Sequence, residues 1–283
     1  MLKFIHLTDT HLVGQGVRLY GLDPHQRLKQ ALADINKHHG DAHSIVITGD
    51  LTNWGGEDEY QALADALALS RLPVRLILGN HDHRARFRNA FPDAMADENG
   101  YVQDVTDTDF GRMIFLDTLM EGTHAGWLCE ERLNWLGARL KETGGPVYLF
   151  MHHPPFDIGM PGMDQYGLIQ KEEFKAVIHP YKSRIRQIFF GHIHRPIHGE
   201  WLGIPFSTLR GTNHQVWMDL EGRADGNLPM SYERPAYGVV LIDQTITLIH
   251  EHDYLYDDEI YLGDPPEGLS EYDYATTGFD HHE

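Results

Sequence analysis

The chain predicts an α/β fold with a layered core and a largely parallel sheet, on three observations. Short apolar runs alternate with amphipathic segments along its first half. Most of those runs end in a cluster of carboxylate, imidazole or amide side chains. No stretch approaches the ~20 apolar residues that a membrane helix needs.

Residues 4–8 read as a short apolar strand. Pro24 opens a helix in which Leu28, Leu32 and Ile35 share one face. Residues 43–48 form a second strand and residues 59–70 a second helix. Pro73 precedes a third strand at residues 74–78. Residues 112–116 read as a strand ending at Asp117, followed by a loop containing Gly122 and Gly126. A helix over residues 130–141 buries Leu133, Leu136 and Leu140, and strands follow at residues 147–151 and 185–190.

Residues 157–170 hold Gly, Met and Pro without a strong period and read as a loop over the site entrance. From Trp201 the pattern changes to short strands at residues 204–209, 237–242 and 245–251, expected to close a second sheet. From Glu251 onward there are 11 acidic residues and no Lys or Arg. Tyr254, Tyr256 and Tyr261 favour at least partial docking of that tail. The expected division is a catalytic core over residues 1–215. Residues 216–283 would complete the second sheet and supply a cap or oligomer contact and the acidic tail. There is no internal repeat.

The 283 residues suffice for a full core. With 42 acidic against 23 basic residues the net charge is -19, which disfavours a nucleic-acid polymer as partner. The single Cys129 excludes an intrachain disulfide and fits a reducing compartment. No basic region leads into an apolar one at the N-terminus, so the expectation is a cytoplasmic protein without a secretory signal.

Chemistry in open α/β sheets sits at the carboxyl ends of strands, where the polar clusters fall. They are Asp9-x-His11, Gly49-Asp50, Gly79-Asn80-His81-Asp82, His152-His153 and Gly191-His192-x-His194. One Asp-x-His pair is as consistent with a capping carboxylate and a surface imidazole as with a metal ligand. Five clusters at successive strand ends shift that balance. Imidazole and carboxylate together suit borderline transition metals. Two dications need anionic compensation, which a bridging Asp50 and a terminal Asp9 provide, while Asn80 adds a neutral oxygen.

This ordered series resembles the calcineurin-like metallophosphoesterase superfamily. It is most similar to the branch of bacterial class III cyclic-nucleotide phosphodiesterases and glycerophosphodiesterases, with Leu19-Tyr20-Gly21 and Gly211-Thr212-Asn213-His214-Gln215 as further matches. The resemblance implies a four-layer α/β/β/α sandwich and two transition-metal ions (Mn, Fe, Zn or Co). One ion would be held by Asp9, His11, Asp50 and His194, the other by Asp50, Asn80, His152 and His192. His81 would lie just outside the metals, facing the phosphoryl group, either stabilising the transition-state oxygen or protonating the leaving alkoxide. A homo-oligomer is also implied.

Several neighbouring roles stay open. Asp82 either orients His81 or caps the local turn, and Asn53 either binds a phosphate oxygen or serves the turn. His214 reaches the substrate or the surroundings of the ligands, and His153 is expected behind them. Arg18 and Tyr20 are candidates for the pocket mouth.

The segment Leu51-Thr52-Asn53-Trp54-Gly55-Gly56 lacks the Arg that protein Ser/Thr phosphatases of the superfamily carry there. The expected reaction is therefore hydrolysis of small phosphodiesters by metal-activated hydroxide, with His81 assisting. Glycerophosphodiesters, cyclic nucleotides, related alkyl or aryl diesters and phosphonate monoesters fall in that range. The alternatives are a metal-dependent phosphomonoesterase and a non-catalytic metal-binding scaffold.

Overall fold

The structure, a computed structural model, describes residues 1–223 and 227–255. In chain order its elements are β1 (Leu2–Leu7), α1 (Pro24–His38), β2 (Ile45–Thr48), α2 (Glu57–Leu67), β3 (Val74–Ile77), α3 (Arg84–Ala90), β4 (Asp104–Thr108) and β5 (Gly111–Phe115). There follow α4 (Glu130–Lys141), β6 (Val147–Phe150), α5 (Pro161–Asp164), α6 (Lys171–Ile178), β7 (Ile185–Phe189), β8 (Ile197–Trp201) and β9 (Ile204–Thr208). The last are β10 (Gln215–Val216), β11 (Met230–Ser231), β12 (Tyr237–Ile242) and β13 (Thr247–His252).

Two sheets face each other. The first has the order β13-β12-β1-β2-β3 and the second β4-β5-β6-β7-β9-β8. Strands β1, β2 and β3 are parallel, as are β5, β6, β7 and β9. Each sheet is finished by antiparallel strands, so both are mixed where a largely parallel sheet was expected.

Alternation in β1 explains the layering. Phe4 turns into the space between the sheets, where its ring meets Phe150 at 5.7 Å and Phe189 at 5.6 Å. Ile5 and Leu7 turn the other way, onto Leu28, Leu32 and Ile35 of α1 and Tyr60 and Leu63 of α2. The outer face of the second sheet is covered likewise by Leu136 and Leu140 of α4 and Phe174 and Ile178 of α6. Each fully buried Phe or Leu contributes on the order of 1.5–3 kcal/mol. The outcome is a helix-sheet-sheet-helix sandwich, the four layers expected.

Helix α1 starts where Pro24 predicts, with the Asp23 carboxylate accepting the Gln26 amide at 3.0 Å. Helix α2 begins two residues before the expected 59 because the Glu59 carboxylate reaches back to the Trp54 and Gly56 amides, at 2.9 and 3.0 Å. It ends before Ser70, whose hydroxyl accepts the Leu72 amide at 3.1 Å and turns the chain into β3.

The three C-terminal strands do not share one sheet. Strand β9 pairs with β7 in the second sheet, whereas β12 inserts beside β1 in the first and carries β13 on its edge. Tyr254 is buried against Tyr237, ring centroids 5.9 Å apart, and donates to the Thr212 carbonyl at 3.3 Å. The expectations for Tyr256, Tyr261 and the rest of the acidic tail lie outside the described residues. No helix among the described residues is long and apolar enough to cross a membrane.

Candidate metal centre

The parallel strands β1, β2, β3, β6 and β7 deliver their following loops to one edge of the sandwich. Backbone hydrogen bonds lace these loops together. His11 N–H donates to the Asp50 carbonyl at 2.9 Å and Leu12 N–H to Leu51 at 3.0 Å. Asn53 N–H donates back to Leu12 at 2.9 Å, and Gly191 N–H to His152 at 3.1 Å. Elements distant in sequence are thus locked into one floor.

That floor is conformationally strained. Among the described residues seven non-glycines have positive φ, and five of them are Asp9 (54°), His11 (45°), Asp50 (47°), His192 (71°) and His194 (52°). Such backbone costs of order 1–3 kcal/mol per residue and persists where the surroundings over-determine it, commonly at functional sites. The outliers coincide with the residues whose chemistry singled them out.

Space is equally constrained. A Cβ on Gly79 would fall onto the Asp50 carboxylate and within 2.7 Å of His152 Nε2, so only glycine lets the loop after β3 pass that close. Asp50 then sits between two sets of imidazoles. Its Oδ2 is 3.5 Å from His11 Nε2 and its Oδ1 is 3.3 Å from His152 Nε2. Asp9 Oδ1 lies 3.4 Å from His194 Nε2, and Asn80 Oδ1 lies 3.2 Å from His152 Nε2.

The other ring nitrogens fix the tautomers. His152 Nδ1 donates to the Thr48 carbonyl at 2.7 Å, His194 Nδ1 to the His214 carbonyl at 2.8 Å, and His11 Nδ1 to Asn53 Oδ1 at 3.0 Å. Each ring therefore turns Nε2 inward, the arrangement typical of metal-binding histidines. His192 Nε2 is buried with no hydrogen-bond partner.

In the metal-free protein, burial alone would raise the Asp50 carboxyl, yet His152, His81 and His11 hold it well below its ordinary value. Asp9 is pushed up by burial, against the pull of His194 and His152. Burial drives His11 and His192 well below the usual imidazole value, which keeps them neutral. His152 is held up at about 9: burial depresses it, but Asp50 and then Asp9 more than compensate.

Among the described residues three groups bring ligand atoms within 4.8 Å of one another: Asp9, His11, Asp50 and His194; His11, His194 and His214; and His152, His153 and His192. Buried carboxylates between inward-facing imidazole nitrogens, together with an orphaned His192 nitrogen, fit a binuclear divalent-metal site.

Asp9, His11, Asp50, Asn53, Asn80, His81, His152, His192, His194 and His214, all singled out in the sequence, lie together here. His81 N–H donates to Asp50 Oδ1 at 2.9 Å, and its ring Nδ1 donates to the Asn53 carbonyl at 2.8 Å. Asn53 thus orients His11 by its side chain and His81 by its backbone. Asp82 leaves the His81 ring alone. Its oxygens accept from the Gly79, Leu51 and Thr52 amides at 2.9, 3.1 and 3.2 Å and from the Tyr60 hydroxyl at 3.2 Å, stapling two loops. His153 is held by Thr118 Oγ1 at 2.7 Å, behind His192. Arg18 does not line the cavity, since its guanidinium donates to the Gly21 carbonyl at 3.3 Å, while Tyr20 does.

The cavity above the floor holds about 300 Å³. Met163, Tyr166, Val216, Leu228, Met230 and His124 complete its lining and were not singled out individually in the sequence. Apolar side chains in a loop look like core in a sequence, and the only hint was the aperiodic stretch 157–170.

The chain belongs to the calcineurin-like phosphoesterase family, whose profile matches residues 2–196. Within it, the chain is related to the bacterial cyclic-nucleotide phosphodiesterase and glycerophosphodiesterase branch. It is 43% identical over 267 residues to a probable cyclic nucleotide phosphodiesterase of Rhodopseudomonas palustris, covering 92% of this chain and 95% of that one. It is 32% identical over 217 residues to a glycerophosphodiester phosphodiesterase of Enterobacter lignolyticus, covering 75% and 77%. The fold matches purple acid phosphatase from yellow lupin with a TM-score of 0.65 at 13% identity, over 92% of this chain and 52% of that chain. The family and the clustered ligands make the chain a metal-dependent hydrolase.

Proposed function

We propose that the protein hydrolyses small phosphodiesters at a binuclear centre in which Asp50 is shared. Asp9, His11, Asp50 and His194 would hold one ion, and Asp50, Asn80, His152 and His192 the other. The observation that carries this reading is the position of Asp50, with one oxygen facing His11 and the other facing His152. Bound there, two ions supply Lewis acidity and acidify the attacking water.

The remaining steps belong to the chain. Because His81 Nδ1–H is committed to the Asn53 carbonyl, the neutral ring has its acceptor at Nε2, and the imidazolium has a donor there. That side chain lines the cavity, so a proton at Nε2 serves the transition-state oxygen or the leaving alkoxide. Asn53 and His214, also in the lining, complete the substrate contacts in this reading. Among the described lining residues there is no Lys or Arg to meet the second charge of a monoester, which favours diesters over monoesters.

The relatives' names support cyclic nucleotides and glycerophosphodiesters as the substrates to try first. The reading includes a reducing, cytoplasmic setting for Cys129 and a homo-oligomer, for which Trp217, Leu220 and Tyr232 offer exposed apolar area. Turnover of bis-p-nitrophenyl phosphate after loading with Mn, Zn, Co or Fe tests the activity. Its absence under every metal refutes the reading.

A further inference from the structure

The cavity has two unlike halves. Its floor is imidazole, carboxylate and amide, whereas one wall is Met163, Val216, Leu228 and Met230, with Tyr166 and His124 at its edge. This wall comes from two segments that play no part in the metal floor: α5 and the hairpin of β10 and β11.

The wall is built. Gly162 of α5 leaves room for Leu228, whose Cδ1 would lie 3.2 Å from a Cβ placed there, and Gly222 seats the hairpin on Pro161 in the same way. The hairpin is also tied to the floor. Arg195, next to His194, donates to the Val216 carbonyl at 2.8 Å and to Glu233 at 3.1 Å. Tyr232 donates to the Tyr20 carbonyl at 3.0 Å, and the Tyr20 ring lies 4.8 Å from that of His214. The Tyr166 and His124 rings meet edge-on at 5.7 Å.

Resting on the phosphodiester reading, we infer that this wall selects the ester group, and that it favours an aromatic one over glycerol. Thioethers and ring edges are good partners for a flat aromatic face. A glycerol or charged headgroup would leave its hydroxyls or charge against apolar atoms, with no Lys or Arg in the described lining to meet them. The volume of about 300 Å³ is at the low end for small-ligand pockets, enough for a phosphoryl group and one ring system. Met163 is 3% exposed and belongs to the second core, whereas Met230 is 38% exposed and outside it.

The test compares Met230→Ser and Leu228→Ser with the wild type, metal-loaded. The readouts are kcat/KM for bis-p-nitrophenyl phosphate and for glycerophosphoethanolamine, and Kd for phenylphosphonate and for methylphosphonate. The aryl-to-glycerol ratio of kcat/KM and the phenyl-to-methyl preference in binding are each expected to fall about tenfold, the usual worth of a lost apolar contact. Ratios that stay within twofold of wild type in both variants overturn the inference. Absence of turnover in the wild type instead strikes the functional reading, while the binding ratio still decides the role of the wall.

Discussion

The Nε2 atoms of His11 and His194 lie 3.2 Å apart, although both rings commit their Nδ1–H to other oxygens. Two lone pairs therefore point at each other, with Asp50 and Asp9 oxygens 3.5 and 3.4 Å away. Burial pushes His11 well below the usual imidazole value, so its own protonation does not relieve the contact. A cation between them does.

Removing metal should destabilise the fold, because Asp9 and Asp50 are then buried with incomplete compensation. Calorimetry after chelation should show a lower Tm, restored in a concentration-dependent way by Mn or Zn. At free metal 100 times Kd the gain is about 2.7 kcal/mol. A Tm indifferent to chelator and metal would count against a metal site.

Asn53→Ala removes the oxygen that holds His11 Nδ1. Loss of such a positioning partner typically weakens metal affinity about 10- to 100-fold. Competitive titration should find one site weakened and the other little changed. Equal affinity at both sites would mean that His11 needs no orientation.

Gly79→Ala drives a methyl group into Asp50 and His152. Metal content should fall well below wild type while the circular dichroism spectrum keeps its α/β form. A variant with full metal occupancy would show that the loop after β3 yields more easily than its packing implies.

Asp117 tests the join between the halves. It is fully buried, takes two hydrogen bonds from Arg84 at 2.8 and 3.0 Å, and accepts the Val102 and Leu119 amides at 3.0 Å each. Arg84→Ala leaves that carboxylate dependent on Arg132, 3.6 Å away, and removes charge-assisted hydrogen bonds worth about 1.5–3 kcal/mol. Urea unfolding should show it, and a change under 1 kcal/mol would contradict the assignment of Arg84 as its partner.

The floor of the site was legible because each ligand follows an apolar run, and strand ends in an α/β sandwich necessarily converge. Local sequence could not show that β12 inserts antiparallel beside β1, since that pairing joins residues more than two hundred positions apart. Polar edge strands such as β4 and short helices such as α3 and α6 bury too few side chains to leave a period. The roles of Asn53 and Asp82 depended on where their oxygens point. Residues 157–170 read as a loop over the entrance, but Met163 within them and Met230 carried no signal of their own, because an apolar cavity wall and an apolar core use the same side chains.

The central claim is that Asp50 serves two ions at once. Metal analysis and diester turnover on the same loaded samples of wild type and Asp50→Ala address it directly. Two ions per chain and metal-dependent turnover are expected in the wild type, with fewer than one ion and no detectable turnover in the variant. A variant that keeps two ions, or a wild type that binds one at most, would contradict it.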